Sequence, residues 1–394
     1  MLPGRDGPRV VVRAGDFAVD LATLADVPVL AGTEVARNPQ WWQAGSLDPF
    51  LAAGRAAWQQ AAGELGPVLA DMDAIGAAAT PLADVQSLLS FTVGDYVDFY
   101  ASEHHATNLG RILRPGQEPL PPNWRHLPIG YHGRSGTIVV SGTAIRRPSG
   151  QRLDEGADRP VFGPTRRLDV ETEVGFVVGV PSRQGEPVPV GDFAEHVFGV
   201  CLVNDWSARD IQAWEGQPLG PFLGKSFATS VSPWVVPLDA LEAARVRPPA
   251  QQPEVLAYLR EDEPWGLDLS LEVRWNGTVV SRPPFAEMYW TPAQQLAHMT
   301  SNGAALRTGD LYASGTVSGP DREQRGSFLE LSWNGEQPVT LDDGSARTFL
   351  EDGDEVTITA WAPGADGARI GFGGLTGRVT PARAAPSVGG PQSA

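Results

Sequence analysis

The chain of 394 residues has very little cysteine and no long apolar run. Its one cysteine, Cys201, excludes a disulfide within the chain and suits a reducing compartment. No apolar run reaches the ~20 residues that a membrane helix needs, and the first residues show no apolar segment of the signal-peptide kind. We therefore expect a cytoplasmic protein that has no membrane partner.

Basic residues are too few to indicate a polyanionic partner. Lysine and arginine number 30 against 47 aspartates and glutamates, which gives a formal net charge of −17. Nucleic-acid binding requires a basic face, so we expect no nucleic-acid partner. The 42% of hydrophobic residues can fill real cores, and the length allows two or three domains. This composition agrees with an enzyme but does not identify its substrate.

Glycine and proline are abundant, with 45 and 35 residues, and they favour short strands joined by many turns over long helices. We therefore predict a mainly β protein. Residues 9–13 are predicted to form the first strand and residues 49–64 a helix. A domain boundary is plausible at residues 85–90, and the last residues, from 382 onward, are predicted to be a disordered tail.

Three local patterns predict turns and a helix start. Residues 269–275 alternate apolar and polar side chains, and Asn276-Gly277 then supplies the positive backbone angles of a tight hairpin. The same dipeptide at Asn334-Gly335 predicts a second hairpin. Thr291 followed by Pro292 predicts the cap and first position of a helix.

Acidic side chains in two segments suggest a cation site. Glu171 and Glu173 lie two residues apart, so a strand would place both carboxylates on one face about 7 Å apart, where they could chelate one hard cation. A solvent-facing strand is the alternative. The same face continues through Gly175 and Val177, however, which indicates a strand that runs inward, where unpaired carboxylates would be costly. No cluster suits zinc, because its usual cysteine ligands are absent.

The segment 98–108, Asp-Phe-Tyr-Ala-Ser-Glu-His-His-Ala-Thr-Asn, has the composition of a catalytic or metal-binding site. If it is extended, Asp98 and Tyr100 point the same way. Its two histidines, His104 and His105, are candidates for acid–base chemistry, although a histidine in a polar loop is more often structural or exposed.

Further along the chain, Arg209 and Gln212 would share one face of a helical turn and could hold an oxyanion; an ordinary helix surface is the alternative. Lys225 follows a glycine-rich segment, but that segment has three residues where a phosphate-binding loop has four between the glycine and Gly-Lys-Ser. We therefore exclude a phosphate-binding loop. Cys201 lies in an apolar run and is predicted to be a buried hydrophobe rather than a nucleophile.

Several longer motifs resemble the fumarylacetoacetase family. The resemblance covers roughly residues 85–380, in the order and at the spacing of that family, and it is looser in the N-terminal segment. The motifs that carry it are residues 98–108, 122–134, 140–150, 204–212, 218–227, 232–237 and 326–333.

The resemblance implies a metal-dependent catalytic site. It implies a divalent cation, calcium or magnesium, and it makes His105 the general base with Glu330 as its partner; the alternative for Glu330 is the solvent side of a strand. The implied metal-binding residues are Asp98, Glu171, Glu173 and Asp205, with Lys225 and Thr229 as a weaker addition. The implied substrate-binding residues are Tyr100, Arg114, Tyr131, Arg209, Gln212 and Thr316, and Arg209, Gln212 and Lys225 would stabilise charge. The sequence departs from the family at Gly216, where the pattern has a substrate-contacting tyrosine.

The resemblance also implies a fold and a reaction. We expect a small N-terminal SH3-like β-barrel domain at residues 1–88, a larger β-rich catalytic domain with a few helices at 89–381, and a homodimer. The reaction would be hydrolysis of a carbon–carbon bond in a small diketo acid, 4-fumarylacetoacetate, in tyrosine and phenylalanine breakdown. The alternatives are an acylpyruvate hydrolase or oxaloacetate decarboxylase on the same fold, or a noncatalytic metal-binding scaffold. The N-terminal segment disfavours the first two, and the presence of both His105 and Glu330 disfavours the scaffold.

Overall fold

The computed structural model describes residues 1–2 and 6–383, and these form a mainly β structure with a two-domain arrangement. The tail predicted from residue 382 lies, from residue 384 on, outside the described residues. No helix among the described residues is both long and apolar enough to cross a membrane.

The N-terminal part combines a three-stranded antiparallel sheet with short helices. Its strands, in the order β1-β2-β3, are β1 (Val11–Ala14), β2 (Phe17–Asp20) and β3 (Ala79–Pro81). Its helices are α1 (Leu21–Leu24), α2 (Glu34–Arg37), α3 (Gln40–Gln43), α4 (Asp48–Leu51), α5 (Arg55–Leu69) and α6 (Met72–Ile75). The SH3-like barrel stays a prediction, since this sheet has three strands in the described residues.

An eight-stranded sheet forms the centre of the described chain. Its strand order is β5-β4-β20-β11-β12-β14-β6, and β15 also pairs with β12. These strands are β4 (Tyr96–Phe99), β5 (Gly130–His132), β6 (Ile138–Val140), β11 (Thr172–Val178), β12 (Val197–Asp205), β14 (Thr229–Val231), β15 (Val236–Pro237) and β20 (Leu311–Ala313). Every residue of β11 and β12 is buried, because both faces of the sheet are covered.

A five-stranded sheet in the order β19-β18-β23-β24-β7 packs beside it. Its strands are β7 (Ile145–Arg146), β18 (Ser270–Trp275), β19 (Thr278–Ser281), β23 (Glu355–Pro363) and β24 (Arg369–Thr380). Two-residue to four-residue strands form the remaining pairs: β8 (Ser149–Arg152) with β9 (Val161–Pro164), β10 (Leu168–Asp169) with β13 (Ser207–Ala208), β16 (Arg245–Val246) with β17 (Gly266–Leu267), and β21 (Val339–Thr340) with β22 (Ala346–Arg347). The later helices are α7 (Glu103–Leu113), α8 (Phe193–His196), α9 (Arg209–Glu215), α10 (Pro292–Thr300) and α11 (Phe328–Leu331).

The predicted turn and cap signals are partly confirmed. Asn276 and Gly277 have φ of 49° and 86° and join β18 to β19 as predicted. Thr291 caps α10 in a capping box with Gln294, and Pro292 is its first residue. Asn334-Gly335 also has positive φ values, but it follows α11, so the predicted second hairpin is wrong.

Two predicted elements are displaced along the chain. The first strand begins at Val11 rather than at residue 9. The helix predicted at 49–64 is two helices, α4 and α5, because Gly54 between them has a φ of 88° that no helix accommodates. The helical pattern of the sequence continues through this break, which is why periodicity alone joined the two helices.

The two faces of the eight-stranded sheet bury different cores. Val174 and Phe176 pack on the side of the five-stranded sheet, whereas Val177 and Val203 belong to the core shared with the N-terminal helices. Cys201 lies in this second core, fully buried, and burial raises the pKa of its thiol to about 12. The prediction of Cys201 as a buried hydrophobe is therefore confirmed.

The side chain of Phe198 joins the N-terminal helices to the central sheet. Its ring centroid lies 5.7 Å from that of Phe50 and 5.2 Å from that of Trp58. Because Phe198 is almost completely buried, we predict that Phe198→Ala lowers the free energy of unfolding by about 3 to 5 kcal/mol. Phe162→Ala, at a residue that is 73% exposed, should change it by less than about 0.5 kcal/mol. Equal midpoints for the two variants in urea unfolding would contradict the packing role of Phe198.

Candidate active site

Four carboxylates from neighbouring strands converge at one end of the central sheet. Asp98 comes from β4, Glu173 from β11 and Asp205 from β12, while Glu171 lies one residue before β11. Each offers an oxygen, and these oxygens all lie within 4.8 Å of one another. Along their strands, Asp98 points to the same side as Tyr96, Glu173 as Val177 and Asp205 as Val203. Tyr96, Val177 and Val203 belong to the core shared with the N-terminal helices. Three of the carboxylates therefore lie on the sheet face that these helices cover.

This cluster fits a hard divalent cation. All four side chains are buried, and both oxygens of Glu173 and one of Asp98 have no hydrogen-bond partner. Burial, followed by repulsion between the carboxylates, raises the pKa of Asp98 and of Glu173 well above their usual range. A cation with oxygen ligands would compensate these unpartnered atoms. The cluster consists of four carboxylates and, in the described residues, contains no cysteine or histidine, so it offers oxygen ligands only.

Lys225 and Arg209 neutralise part of the cluster. The Lys225 Nζ lies 2.6 Å from Glu171 Oε2 and 2.6 Å from Asp205 Oδ2, and Arg209 Nη1 lies 2.7 Å from Glu171 Oε1. Burial alone would lower the pKa of Lys225, but Asp205 and Glu171 outweigh it and raise that pKa. Arg209 is shared with a further buried carboxylate, Asp169, so these two bases offset only part of the negative charge that the four carboxylates carry when ionised. A divalent cation would offset more of it.

Thr229 also contacts the cluster. Its Oγ1 donates to Asp205 Oδ1 at 3.3 Å from the neighbouring strand β14. The hydroxyl oxygen of Thr229 could serve as a metal ligand. The protonated amine of Lys225 has no lone pair to offer a metal ion, and its side chain contacts the carboxylates of Glu171 and Asp205 instead.

His105 and Glu330 form a buried pair beside the carboxylates. His105 Nδ1 lies 2.7 Å from Glu330 Oε2, and His105 Nε2 lies 4.0 Å from Glu171 Oε1. An ionised carboxylate can only accept, so the Nδ1 nitrogen carries the hydrogen and the Nε2 nitrogen is the basic one. The basic nitrogen therefore faces the carboxylate cluster.

The predicted surroundings of this pair need two corrections. His105 lies in the first turn of α7, capped by the Ser102 hydroxyl, so residues 98–108 are extended only as far as Phe99 and are helical from Glu103. Glu330 lies in the single turn α11 and is fully buried, so its predicted alternative on the solvent side of a strand is wrong. The pattern Ser327-x-x-Glu330 is the helix-start signal that the strand interpretation overlooked.

Three polar residues that the sequence analysis missed complete the environment of Glu330. Asn108 Nδ2 donates to Glu330 Oε1 at 2.9 Å, and the hydroxyls of Ser318 and Ser327 donate to Oε2 at 3.0 and 2.8 Å. Burial would raise the pKa of Glu330, but His105, Asn108 and Ser327 lower it below its usual range. Asn108 follows His105 by three residues on α7, which is a helical spacing that the sequence could have revealed; Ser318 gives no such signal.

Arg209 and Gln212 lie on one face of α9, as predicted, with Arg209 Nη1 3.3 Å from Gln212 Oε1. Arg209 Nη2 is buried and has no partner among the described residues. Its Nε donates to Asp169 Oδ2 at 2.8 Å, a contact that the sequence analysis also missed.

The predicted substrate-contacting residues are dispersed around this cluster. Tyr131 Oη donates to Asp205 Oδ2 at 3.4 Å, and the ring of Tyr100 lies edge-on to His105 at 5.4 Å. Thr316 Oγ1 is buried without a partner in the described residues, whereas Arg114 Nη2 donates to the carbonyl of Pro119. The structure thus brings Tyr100 and Tyr131 into contact with the site and engages Arg114 with its own loop.

Gly216 ends α9 with φ and ψ of −61° and −22°, angles open to any residue. A Cβ there would lie 2.9 Å from the Gln212 carbonyl oxygen, so a side chain would require a small backbone shift.

Comparison with known proteins covers nearly the whole chain. Two family models match it: Fumarylacetoacetase N-terminal over residues 2–90 and Fumarylacetoacetate (FAA) hydrolase C-terminal over residues 96–380. The chain is 47% identical to a fumarylacetoacetase of Oryza sativa over 395 residues, covering 96% of this chain and 91% of that protein. It is 46% identical to a fumarylacetoacetase of Homo sapiens over 393 residues, covering 96% and 93%.

Solved structures of lower identity share the fold. A fumarylacetoacetate hydrolase from Exiguobacterium antarcticum aligns with a TM-score of 0.56 at 19% identity, covering 96% of this chain and 97% of that one. A maleylpyruvate hydrolase from Sphingobium aligns with a TM-score of 0.52 at 16% identity, covering 95% and 97%. At these identities the likeness concerns the fold alone.

The unpartnered oxygens of Glu173 generate a prediction about metal binding. Calcium or magnesium should raise the thermal midpoint of the chelator-treated protein. At a free metal concentration of 100 times the dissociation constant, the free energy of unfolding should increase by about 2.7 kcal/mol. Glu173→Gln should abolish this rise and, without metal, be at least as stable as the parent, because it removes a buried carboxylate that has no partner. Glu336→Gln, on the surface, should keep the full rise. A metal-induced rise that survives Glu173→Gln would refute this site.

Proposed function

The chain belongs to the fumarylacetoacetase family, and we propose that it hydrolyses the carbon–carbon bond of 4-fumarylacetoacetate to fumarate and acetoacetate, in tyrosine and phenylalanine breakdown. One observation carries this proposal beyond the family relationship. The buried carboxylate cluster, the His105–Glu330 pair and the cations of Arg209 and Lys225 all meet at Glu171. This arrangement offers a base, hydrogen-bond donors for an oxyanion and a cation site around the single carboxylate of Glu171.

We propose that the bound metal ion is calcium or magnesium. Asp98, Glu171, Glu173 and Asp205 would hold it, with Thr229 beside Asp205. A bound divalent cation supplies Lewis-acid polarisation of the 1,3-diketone oxygens of the substrate.

The remaining chemistry follows from the side chains. His105 Nε2 takes a proton from water, and the hydroxide adds to the carbonyl carbon next to the scissile bond. Glu330 Oε2 accepts the hydrogen bond from His105 Nδ1, so that hydrogen stays on the imidazole, and the carboxylate stabilises the imidazolium that forms. The carbon–carbon bond then breaks, its electron pair leaves with the acetoacetate carbon, and that carbon takes up a proton.

Charge that develops on the attacked carbonyl oxygen requires donors that are already in place. Arg209 Nη2 is buried and unpartnered in the described residues, so it can donate without breaking another hydrogen bond. Gln212 lies beside it, and Lys225 is fixed by two carboxylates. Such preorganised donors are worth about 10² to 10³ in rate each. We assign the oxyanion to these three side chains.

Substrate binding involves Tyr100, Arg114, Tyr131 and Thr316 together with Arg209 and Gln212. The support is that Thr316 Oγ1 is buried without a partner in the described residues and that Tyr100 and Tyr131 line the site. Arg114 would release the Pro119 carbonyl to bind a carboxylate. The absence of a side chain at Gly216 leaves room at one end of the pocket, so we expect some relaxation of substrate choice there.

The proposal includes the organisation of the molecule: an N-terminal SH3-like domain at 1–88, a catalytic domain at 89–381, a cytoplasmic location and a homodimer. An exposed apolar segment supports the dimer. Residues 214–223 comprise the end of α9 and the loop that follows it toward Lys225. They expose the large side chains of Trp214, Leu219, Phe222 and Leu223, with Leu219 97% and Phe222 66% exposed. Exposed apolar clusters of this kind mark protein–protein interfaces.

We predict that the purified protein sediments as a dimer and that Leu219→Asp combined with Phe222→Asp shifts it to the monomer. A buried charge at an apolar interface is costly, whereas the same charge in solvent is not. Leu256→Asp, also at an exposed residue, is the matched control and should leave the dimer intact. A dimer that survives the double substitution would place the interface elsewhere.

Activity on three substrates tests the function. We predict the highest kcat/KM on fumarylacetoacetate and the lowest on acetylpyruvate, because acetylpyruvate has one carboxylate and cannot occupy both ends of the substrate site. Succinylacetoacetate has both carboxylates but lacks the rigid double bond, so we expect its kcat/KM to lie between the other two. A chelator should abolish turnover, and calcium or magnesium should restore it. If acetylpyruvate is the best of the three, an acylpyruvate hydrolase replaces this function; if none turns over, a noncatalytic scaffold does.

The His105–Glu330 pair generates a separate prediction. His105→Ala should lower kcat by about 10² to 10⁴ because it removes a positioned base. Glu330→Gln should lower kcat as well, and the double variant should be little worse than His105→Ala, since the pair acts as one unit. His104→Ala is the matched control, because His104 is partly exposed and lies next to Glu287 rather than Glu330. Loss of activity in His104→Ala but not in His105→Ala would reverse the assignment.

A further inference from the structure

A buried carboxylate outside the assigned residues lies between the two halves of the site. Asp169 is fully buried in β10, and its backbone pairs with Ser207 of β13, two residues before α9 begins. Its Oδ1 accepts from the amides of Val170 and Phe328 at 2.8 and 2.7 Å. Its Oδ2 accepts from the amide of Leu329 at 3.1 Å and from Arg209 Nε at 2.8 Å. Four N–H donors thus converge on two oxygens, an arrangement that only a carboxylate accommodates.

The hydrogen bond from Arg209 to Asp169 determines the orientation of the Arg209 guanidinium group. The guanidinium group is planar and rigid, so holding two of its nitrogens fixes the third. Asp169 holds Nε, and Glu171 holds Nη1 at 2.7 Å. These two contacts direct Nη2, which has no partner among the described residues. Without Asp169, the guanidinium would be held through Nη1 alone, by Glu171 and Gln212, and Nη2 would lose its fixed direction.

Two further hydrogen bonds of Asp169 hold the turn that carries Glu330. Phe328 and Leu329 are the first two residues of α11, whose opening amides have no partners within the helix. Asp169 accepts from both. A helix of four residues cannot maintain its own position, and its other end is held from outside too: Arg325 Nη1 donates to the Glu330 carbonyl at 2.8 Å, and Arg322 Nη2 to that of Leu331 at 2.9 Å.

We propose that Asp169 is a positioning residue that fixes Arg209 and Glu330 relative to each other. It thereby aligns the side that binds the oxyanion with the side that holds the histidine base. Asp169 acts through these two residues and touches neither substrate nor metal. The inference rests on the proposed function, in which Arg209 binds the oxyanion and Glu330 orients His105.

Asp169→Asn is the most direct test. The amide has the same shape, but whichever way it is turned, its NH₂ group replaces one acceptor and faces two N–H donors. Asp310→Asn is the matched control: Asp310 is also buried, its Oδ2 accepts from the Arg307 amide at 2.8 Å, and its Oδ1 lies 3.4 Å from Arg307 Nη2. If Asp169→Asn does not fold, Asp169→Ser takes its place with the same expectations, because its smaller side chain leaves room for water at the four donors.

Hydrogen exchange gives a readout that does not depend on activity. The amides of residues 327–332 should exchange at least 10-fold faster in Asp169→Asn than in the parent, and at an unchanged rate in Asp310→Asn. Unchanged exchange of residues 327–332 in Asp169→Asn would overturn the proposal, because α11 would then be held without Asp169.

Kinetics on fumarylacetoacetate distinguish positioning from a purely structural role. Asp169→Asn should lower kcat 10- to 100-fold with KM changed less than threefold, while Asp310→Asn keeps kcat. The loss should combine less than multiplicatively with Arg209→Lys and also with Glu330→Gln. If the loss of kcat multiplies fully with that of either variant, or if kcat is unchanged in Asp169→Asn, then Asp169 does not couple Arg209 to Glu330. An inactive parent enzyme would refute the proposed function instead, and the exchange experiment would then decide this inference.

Discussion

The carboxylate of Glu171 is the contact on which the rest of the site depends. It is buried, and it touches Arg209, Lys225 and, at longer range, His105. Burial would raise its pKa, but Lys225 and Arg209 outweigh burial and hold that pKa well below its usual range. Glu171 therefore remains charged where water cannot solvate it. Each partner is in turn held by a second carboxylate, Lys225 by Asp205 and Arg209 by Asp169.

This concentration of buried charge costs stability, and the surrounding fold compensates for it. An isolated buried ion is unfavourable by several kcal/mol, so the charges persist only where packing on all sides holds them together. The central sheet provides this: every residue of β11 and β12 is buried. The N-terminal helices contribute directly, because they cover the face from which Asp98, Glu173 and Asp205 project. Loss of that cover would expose the sheet beside the site as well as the apolar core.

The strands and the helices of the site carry different functional groups. Paired strands of the central sheet carry three of the four carboxylates, Asp98, Glu173 and Asp205, whose oxygens must approach one another closely. The groups that would move protons or bind an oxyanion lie instead on helices: His105 in the first turn of α7, Arg209 at the start of α9 and Glu330 in the single turn α11. The short helices α9 and α11 depend on contacts from outside. The polar contacts of Asp169, Ser327 and Arg325 therefore determine geometry that the helices cannot maintain alone.

The sequence by itself determined the elements whose signal is local. The hairpin at Asn276-Gly277, the cap at Thr291, the buried run around Cys201 and the i, i+3 pair Arg209 and Gln212 all depend on neighbouring residues. The motifs around His105, Asp205 and Glu330 were among those that identified the family. Tertiary structure alone decided what joins these pieces. Glu330 meets His105 across 225 residues of chain, Phe328 meets Asp169 across 159, and Ser318 meets Ser102 across 216. No local periodicity encodes such contacts, because their geometry arises only when distant strands pair and bury their polar groups together.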